Sequence, residues 1–156
     1  TVDCDILNAD GGTRCASITA ATIALRLGVR RLIEQGLCLP AADRKPADAG
    51  REWEPRELSS DEKSAHESAV LPVDVAAISV GLIGEDVYLD LDYILDSNAD
   101  VDMNVIGTSD GMLVEVQGTG EEATYSRAQM DALMDMAEIG LNKLHQLQRD
   151  VLQGQN

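Results

Sequence analysis

Five carboxylates fall within thirteen residues of this chain: Asp90, Asp92, Asp96, Asp100 and Asp102. No Lys or Arg occurs between Lys63 and Arg127 to neutralise them. Acids packed this closely repel one another, and the repulsion is relieved either by water or by a hard divalent cation. Leu89, Leu91, Ile94, Leu95 and Val101 thread the run, so it does not read as a disordered acidic tail. Alternation along a strand through Tyr93 sets Leu89, Leu91, Tyr93 and Leu95 towards a core and Asp90, Asp92 and Asp96 on the opposite face. Asp102 and Asn104 share that second parity across a short connection. Two carboxylates meeting at one rim suit Mg²⁺ or Mn²⁺, which keep waters and take further ligands from substrate phosphates. The same pattern also describes a solvated polar sheet face. The spacing is not that of an EF-hand, which needs D-x-D-x-D-G and a closing Glu.

A second group is Gly11-Gly12-Thr13-Arg14. Glycines open the loop, and the backbone N–H groups that begin a following helix point at an anion. Thr13 adds a hydroxyl, and Arg14 adds a planar fork that grips phosphate through two parallel bonds. No Gly-Lys-Ser/Thr follows, which excludes a Walker A loop; the plain alternative is a turn with a helix cap. His66 and His145 lie outside any zinc-like or triad-like spacing and are expected at the surface. Cys4, Cys15 and Cys38 form no C-x-x-C pair. They are expected to be buried small hydrophobes, reduced in a cytosolic setting.

These groups need elements to hold them. Residues 1–7 alternate with period two, predicting a strand, and residues 8–12 form a loop. From Thr13 the spacing is helical through Ile18, Ala21, Leu25, Leu32 and Ile33, ending at Gln35-Gly36. Residues 38–72 hold all four prolines, the only Trp and thirteen charged residues. They read as an exposed insertion with a short helix near Ser60–Ser68, adding little to the core. A hairpin is predicted over residues 79–83 and 87–93, and further strands over 101–106 and 112–116, joined by Thr108-Ser109-Asp110-Gly111. A last helix opens at Ser126 with Gln129 completing a capping box. Its Met130, Leu133, Met134, Ala137, Leu141 and Leu144 mark the core face.

The 156 residues suffice for one ordinary core, built without Phe. A formal net charge of −16 opposes nonspecific attraction to nucleic acid or anionic membrane. No stretch approaches the roughly twenty apolar residues of a membrane span. The first residue is Thr, within an apparent strand, so the chain reads as starting inside a fold.

Taken in order, Asp3–Thr19 (DCDxLxADGGTRxASIT), Ala76–Leu82 (AAISVGL), Leu89–Val105 (LDLDYxxDSxADxDMNV) and Glu115–Glu121 (EVQGTGE) resemble the bacterial RNase PH family of phosphorolytic 3′→5′ exoribonucleases. The resemblance implies an α+β fold of the RNase PH type (ribosomal protein S5 domain 2-like), truncated at its N-terminus. Residues 1–37 would then close the first domain, 38–72 be an insertion, and 73–156 form the second domain. It also implies attack by inorganic phosphate on the last phosphodiester of RNA, notably at the tRNA 3′ end. Gly12, Thr13 and Arg14 match the phosphate-binding triplet, with Ser17 close by. Asp96 and Asp102 match the acidic pair that holds Mg²⁺ or Mn²⁺. The family's six-subunit rings imply a homo-oligomer in the cytoplasm. The family's N-terminal half, with a further phosphate-binding arginine and much of the basic RNA surface, has no counterpart in these residues. Leu95 also stands where the family typically has Glu. Rival readings are a noncatalytic subunit of an exosome-like ring and an acidic module that binds divalent metal.

Overall fold

The computed structural model describes residues 1–121 and 123–154. Its elements are α1 (Thr13–Glu34), a 3-10 turn (Ala41–Asp43), α2 (Ser60–Val70), β1 (Val75–Ile83), β2 (Asp86–Leu89), α3 (Tyr93–Asp96), β3 (Val101–Thr108), β4 (Leu113–Gly120) and α4 (Arg127–Gln153). The strands form one antiparallel sheet in the order β2-β1-β3-β4, giving the α+β class expected. No described helix is long and apolar enough to cross a membrane.

Two compact units are distinguished, Thr1–Ile23 with Asp74–Asn156, and Ala24–Val73. In the first, register pairs Ile78 with Val105, Val80 with Met103 and Leu82 with Val101. Period two therefore sends these side chains to one face, where Leu133, Ala137 and Leu141 of α4 bury them. Each fully buried side chain of this size contributes about 1.5–3 kcal/mol. The helical spacing read from sequence in α4 is the face that packs, and the Ser126–Gln129 capping box is present. On the other sheet face, Ala77 and Ile106 cover Cys15 of α1, with Ile18 and Val75 against them.

One edge of the sheet solves an accounting problem. β2 pairs with residues 80–83 of β1, which leaves the backbone of residues 75–79 without a strand neighbour on that side among the described residues. Side chains take its place. Thr19 Oγ1 accepts from the Ala77 N–H at 3.0 Å and donates to the Ala77 carbonyl at 3.2 Å. The Val75 carbonyl accepts from Thr22 Oγ1 at 2.7 Å and from Gln148 Nε2 at 2.9 Å. Gln148 also donates to the Thr19 carbonyl at 3.0 Å, and its Oε1 meets His145 Nδ1 at 3.0 Å. His145, expected at the surface, is thus buried at 5 % exposure. It lies on the same α4 face as Leu141, four residues earlier. Gln148→Leu keeps the volume but strips the second donor from the Thr19 carbonyl, which also accepts within α1, and the partner from His145 Nδ1. Val75 keeps Thr22, so the expected cost is about 1–3 kcal/mol. Thermal denaturation should show the melting point falling by several degrees.

The second unit is built from the later turns of α1 and the Pro-rich segment. Gly36, at φ +69°, ends α1 in a Schellman motif, with Leu37 N–H donating to the Leu32 carbonyl and Gly36 N–H to that of Ile33. Helix α2 begins with a Ser59–Glu62 capping box, close to where the sequence placed a helix. Ile33, Leu39 and Leu58 form a small cluster with Val29, Cys38 and Trp53 against it. The segment is therefore more than an exposed linker, since it carries a small apolar cluster of its own.

Two strand expectations are corrected. Residues 1–7 are exposed and form no strand, because no strand of this sheet offers them backbone partners and alternation alone does not supply hydrogen bonds. The strand predicted to run to Tyr93 stops at Leu89. Asp90 takes φ +60°, a left-handed conformation that Asp tolerates better than most residues, and the chain turns away into α3. Leu91 is 1 % exposed, whereas Tyr93 and Ile94 are 69 % and 70 % exposed. The parity argument therefore fails beyond Leu89.

Candidate functional site

The sheet face beneath α1 is polar by register. Ser79 pairs with Asn104, and Gly81 with Asp102; Asn104 pairs in turn with Gln117, Asp102 with Thr119 and Ile106 with Glu115. Alternation in the segment Glu115–Glu121 thus puts Glu115, Gln117 and Thr119 on the face that carries Asp102. Sequence reasoning quoted that segment as a motif but gave its side chains no role; the period-two pattern beside Asp102 and Asn104 was the available signal.

The glycine loop and the acidic segment meet. Asp10 Oδ1 accepts from its neighbour Gly11 N–H at 2.9 Å and from Tyr93 N–H at 2.6 Å, so one carboxylate ties the loop to the start of α3. Gly11 lies so close to the Leu91 carbonyl that a Cβ would sit 2.0 Å from its oxygen. Gly12 has φ +68°, a conformation open to glycine. Ser79 fastens the same corner, its Oγ accepting from Leu91 N–H at 3.3 Å and its carbonyl from Asp90 N–H at 2.8 Å. Asp92 caps α3 by accepting from Leu95 N–H at 2.8 Å. Sequence spacing marks Asp10 only as a loop residue, because its partner lies more than eighty residues away in sequence.

Asp96 and Asp102 come from a short helix and a strand rather than from two strand ends. Among the described residues Asp102 Oδ1, which is buried, finds no hydrogen-bond partner, while Oδ2 accepts from Asn104 Nδ2 at 3.4 Å. Burial raises the Asp102 pKa above its ordinary value, and the charges of Asp96 and Glu121 raise it further, against a lowering by the Met103 backbone N–H. A buried, unpaired carboxylate oxygen with two other acids acting on it is a natural donor to a cation. No cluster of three or more metal-ligating side chains occurs among the described residues. A cation here would therefore depend on Asp96 and Asp102 together with water or phosphate, which suits Mg²⁺ or Mn²⁺.

Thr13 and Arg14 open α1, and Ser17 Oγ bonds back to the Thr13 carbonyl at 2.9 Å. Arg14 reaches across the sheet face. Its Nη2 donates to both Glu115 oxygens at 2.9 and 3.0 Å, and Nη1 to Gln117 Oε1 at 3.3 Å. The pair is about half exposed, so its guanidinium fork is accessible to a competing anion. Cys15 is buried beside it, with Sγ 2.8 Å from Asn104 Oδ1. Burial, only partly offset by Arg14, pushes its pKa up to about 11, so the group stays a thiol at neutral pH. Of the other cysteines, Cys4 is exposed and Cys38 partly so; the expectation of burial holds for Cys15 alone.

Residues 75–140 match the 3′ exoribonuclease family, domain 2. Across almost the whole chain there is similarity to three proteins named ribonuclease PH. That of Rhodopirellula baltica is 50 % identical over 149 residues, which are 96 % of this chain and 51 % of that protein. That of a Synechococcus strain is 43 % identical over 148 residues, 95 % of this chain and 49 % of its own length. That of Bacillus cereus is 43 % identical over 154 residues, 97 % of this chain and 51 % of its own. The chain spans about half the length of the curated relatives it matches.

Proposed function

We propose, from the match of residues 75–140 to the 3′ exoribonuclease family, domain 2, that this chain supplies half of a phosphorolytic 3′→5′ exoribonuclease. The substrate class is RNA, in particular the tRNA 3′ end, with inorganic phosphate as co-substrate and nucleoside diphosphates as product. The observation that carries this reading is the buried, unpartnered Asp102 oxygen on the same sheet face as Arg14's partners, with Asp10 tying the glycine loop to the acidic segment. Similarity to ribonuclease PH proteins supports the same chemistry.

The geometry supports one set of roles. Gly12 and Thr13 offer backbone N–H groups at the start of α1, and Arg14 offers its fork, so the three hold phosphate with one oxygen free to attack. A P–O bond forms from hydrogen phosphate to the terminal nucleotide's phosphorus, the bond to the preceding 3′-oxygen breaks, and that oxygen takes the proton the attacking phosphate loses, leaving a hydroxyl on the shortened RNA. Asp96 and Asp102 would hold one Mg²⁺ or Mn²⁺, which when bound offsets charge on the reacting phosphoryl oxygens. Asp10 and Ser79 keep the loop and the acids at a fixed separation. RNA affinity requires cations, and only twelve Lys and Arg stand against twenty-eight acids here. The basic surface is therefore assigned to the other half of the length that the relatives have, and the chain alone is expected to be inactive on RNA. A homo-oligomer is the proposed assembly, a cytoplasmic ring by resemblance to the family; exposed Leu113 and Val114 on edge strand β4 support self-association.

The Arg14 contacts give a paired test of the phosphate site in the two-half protein. Arg14→Lys keeps the charge but loses the fork, so the apparent phosphate affinity should fall about tenfold or more. Glu115→Gln weakens the carboxylate that competes for the same fork and should tighten phosphate about two- to fivefold, as expected for a half-exposed ion pair. Phosphate dependence of product release reads both. An unchanged dependence in Arg14→Lys removes Arg14 from the site.

A further inference from the structure

Asn104 bridges the buried thiol and the carboxylate that the proposed function assigns to a cation. Its Oδ1 lies 2.8 Å from Cys15 Sγ and its Nδ2 lies 3.4 Å from Asp102 Oδ2. The amide has only one workable orientation. An ionised carboxylate only accepts, so the NH₂ must face Asp102, and the carbonyl then faces the thiol, which donates. One Asp102 oxygen is thereby engaged and the other, Oδ1, is left buried and unpaired. Asn104 also sits between Ser79 and Gln117 on the central strand, with neighbours in register on both sides, so its backbone is fixed.

We propose that Asn104 is a positioning residue for Asp102, and that Cys15, through its S–H, locks the Asn104 amide so that Asp102 presents Oδ1 to a divalent cation. Cys15 thus has a structural role at the site and no nucleophilic one. Groups that orient a metal ligand from behind typically change metal affinity about 10–100-fold when removed. The inference rests on the proposed metal role of Asp102 and is separable from it.

The test is Mn²⁺ binding to the full chain in the presence of inorganic phosphate, followed by the electron paramagnetic resonance signal of free Mn²⁺. Asp102→Asn sets the background from other surface acids. Above that background, Asn104→Ala should bind at least about tenfold more weakly. Cys15→Ala should weaken binding severalfold, while Cys15→Ser, which restores a donor, should recover most of the affinity. Melting temperatures identify any variant that fails to fold, and the Cys15 pair carries the test if Asn104→Ala is one. If Asp102→Asn binds as the unaltered chain does, the metal role of Asp102 fails and this inference with it. If Asp102→Asn abolishes binding but folded Asn104→Ala, or Cys15→Ala when Asn104→Ala does not fold, binds normally, the positioning role alone is overturned. Equal weakening by Cys15→Ser and Cys15→Ala would show that the thiol acts by packing rather than by donating.

Discussion

Asp102→Asn should abolish most phosphorolysis in the two-half protein while leaving the fold as stable as before, or more so. The amide matches the carboxylate in shape but cannot hold a cation with the same charge. Loss of one preorganised electrostatic contact to a transition state costs about 10²–10³ in rate. Stability moves the other way because burial and the charges of Asp96 and Glu121 already penalise the ionised Asp102. Its folded pKa is raised above the unfolded value. Its contribution to stability is therefore full below the ordinary carboxylate range and is lost as pH rises through the elevated folded pKa. At neutral pH without metal the unaltered protein carries that penalty, and Asp102→Asn does not. Thermal denaturation across acid to neutral pH should show the variant's advantage growing with pH, and added Mn²⁺ should stabilise the unaltered protein more than the variant. A variant that loses activity by unfolding would show the opposite thermal shift.

Gly11→Ala should be the most damaging single methyl group in the site. The added Cβ would stand 2.0 Å from the Leu91 carbonyl oxygen and 2.8–2.9 Å from the carbonyl carbons of Asp92 and Leu91. These are backbone atoms of a segment held by Ser79 and by Asp10, so neither side yields cheaply. The loop must lift away from α3, carrying Gly12, Thr13 and Arg14 away from the acids. Misplacement of reacting groups by about 1 Å costs about a hundredfold in rate. Loss of activity with the circular dichroism of the folded protein retained is the expected result. Ala at the open Gly28 position, where a Cβ meets nothing within 4 Å, is the matching control.

The readable and unreadable parts of the sequence divide along physical lines. The α4 core face and its capping box were legible because each repeats a local rule: helical spacing for Leu133, Ala137 and Leu141, and reciprocal hydrogen bonds for Ser126 and Gln129. The hairpin from β1 to β2 was legible from its β-branched run and its Gly84 turn, but its end was not. Asp90 leaves the strand through a left-handed backbone, and nothing in the alternation of Leu89, Leu91 and Tyr93 announces that. Residues 1–7 mislead in the converse way, since they alternate well and have no neighbour in this sheet. The site residues that went unread, Asp10 and Glu115 above all, make contacts across more than eighty residues of sequence, where local spacing carries no information. His145 was misread because its burial depends on Gln148 and on the uncovered edge of β1.

The fate of labelled phosphate decides whether phosphate or water cleaves the RNA. The chain would be joined to an N-terminal half of the ribonuclease PH type and given a tRNA with extra 3′ nucleotides, Mg²⁺ and radiolabelled inorganic phosphate. Phosphorolysis puts label in the terminal phosphate of released nucleoside diphosphates, allows no release without phosphate, and loses the labelled product in Asp102→Asn. Unlabelled nucleoside monophosphates, released at the same rate with or without phosphate, would contradict it.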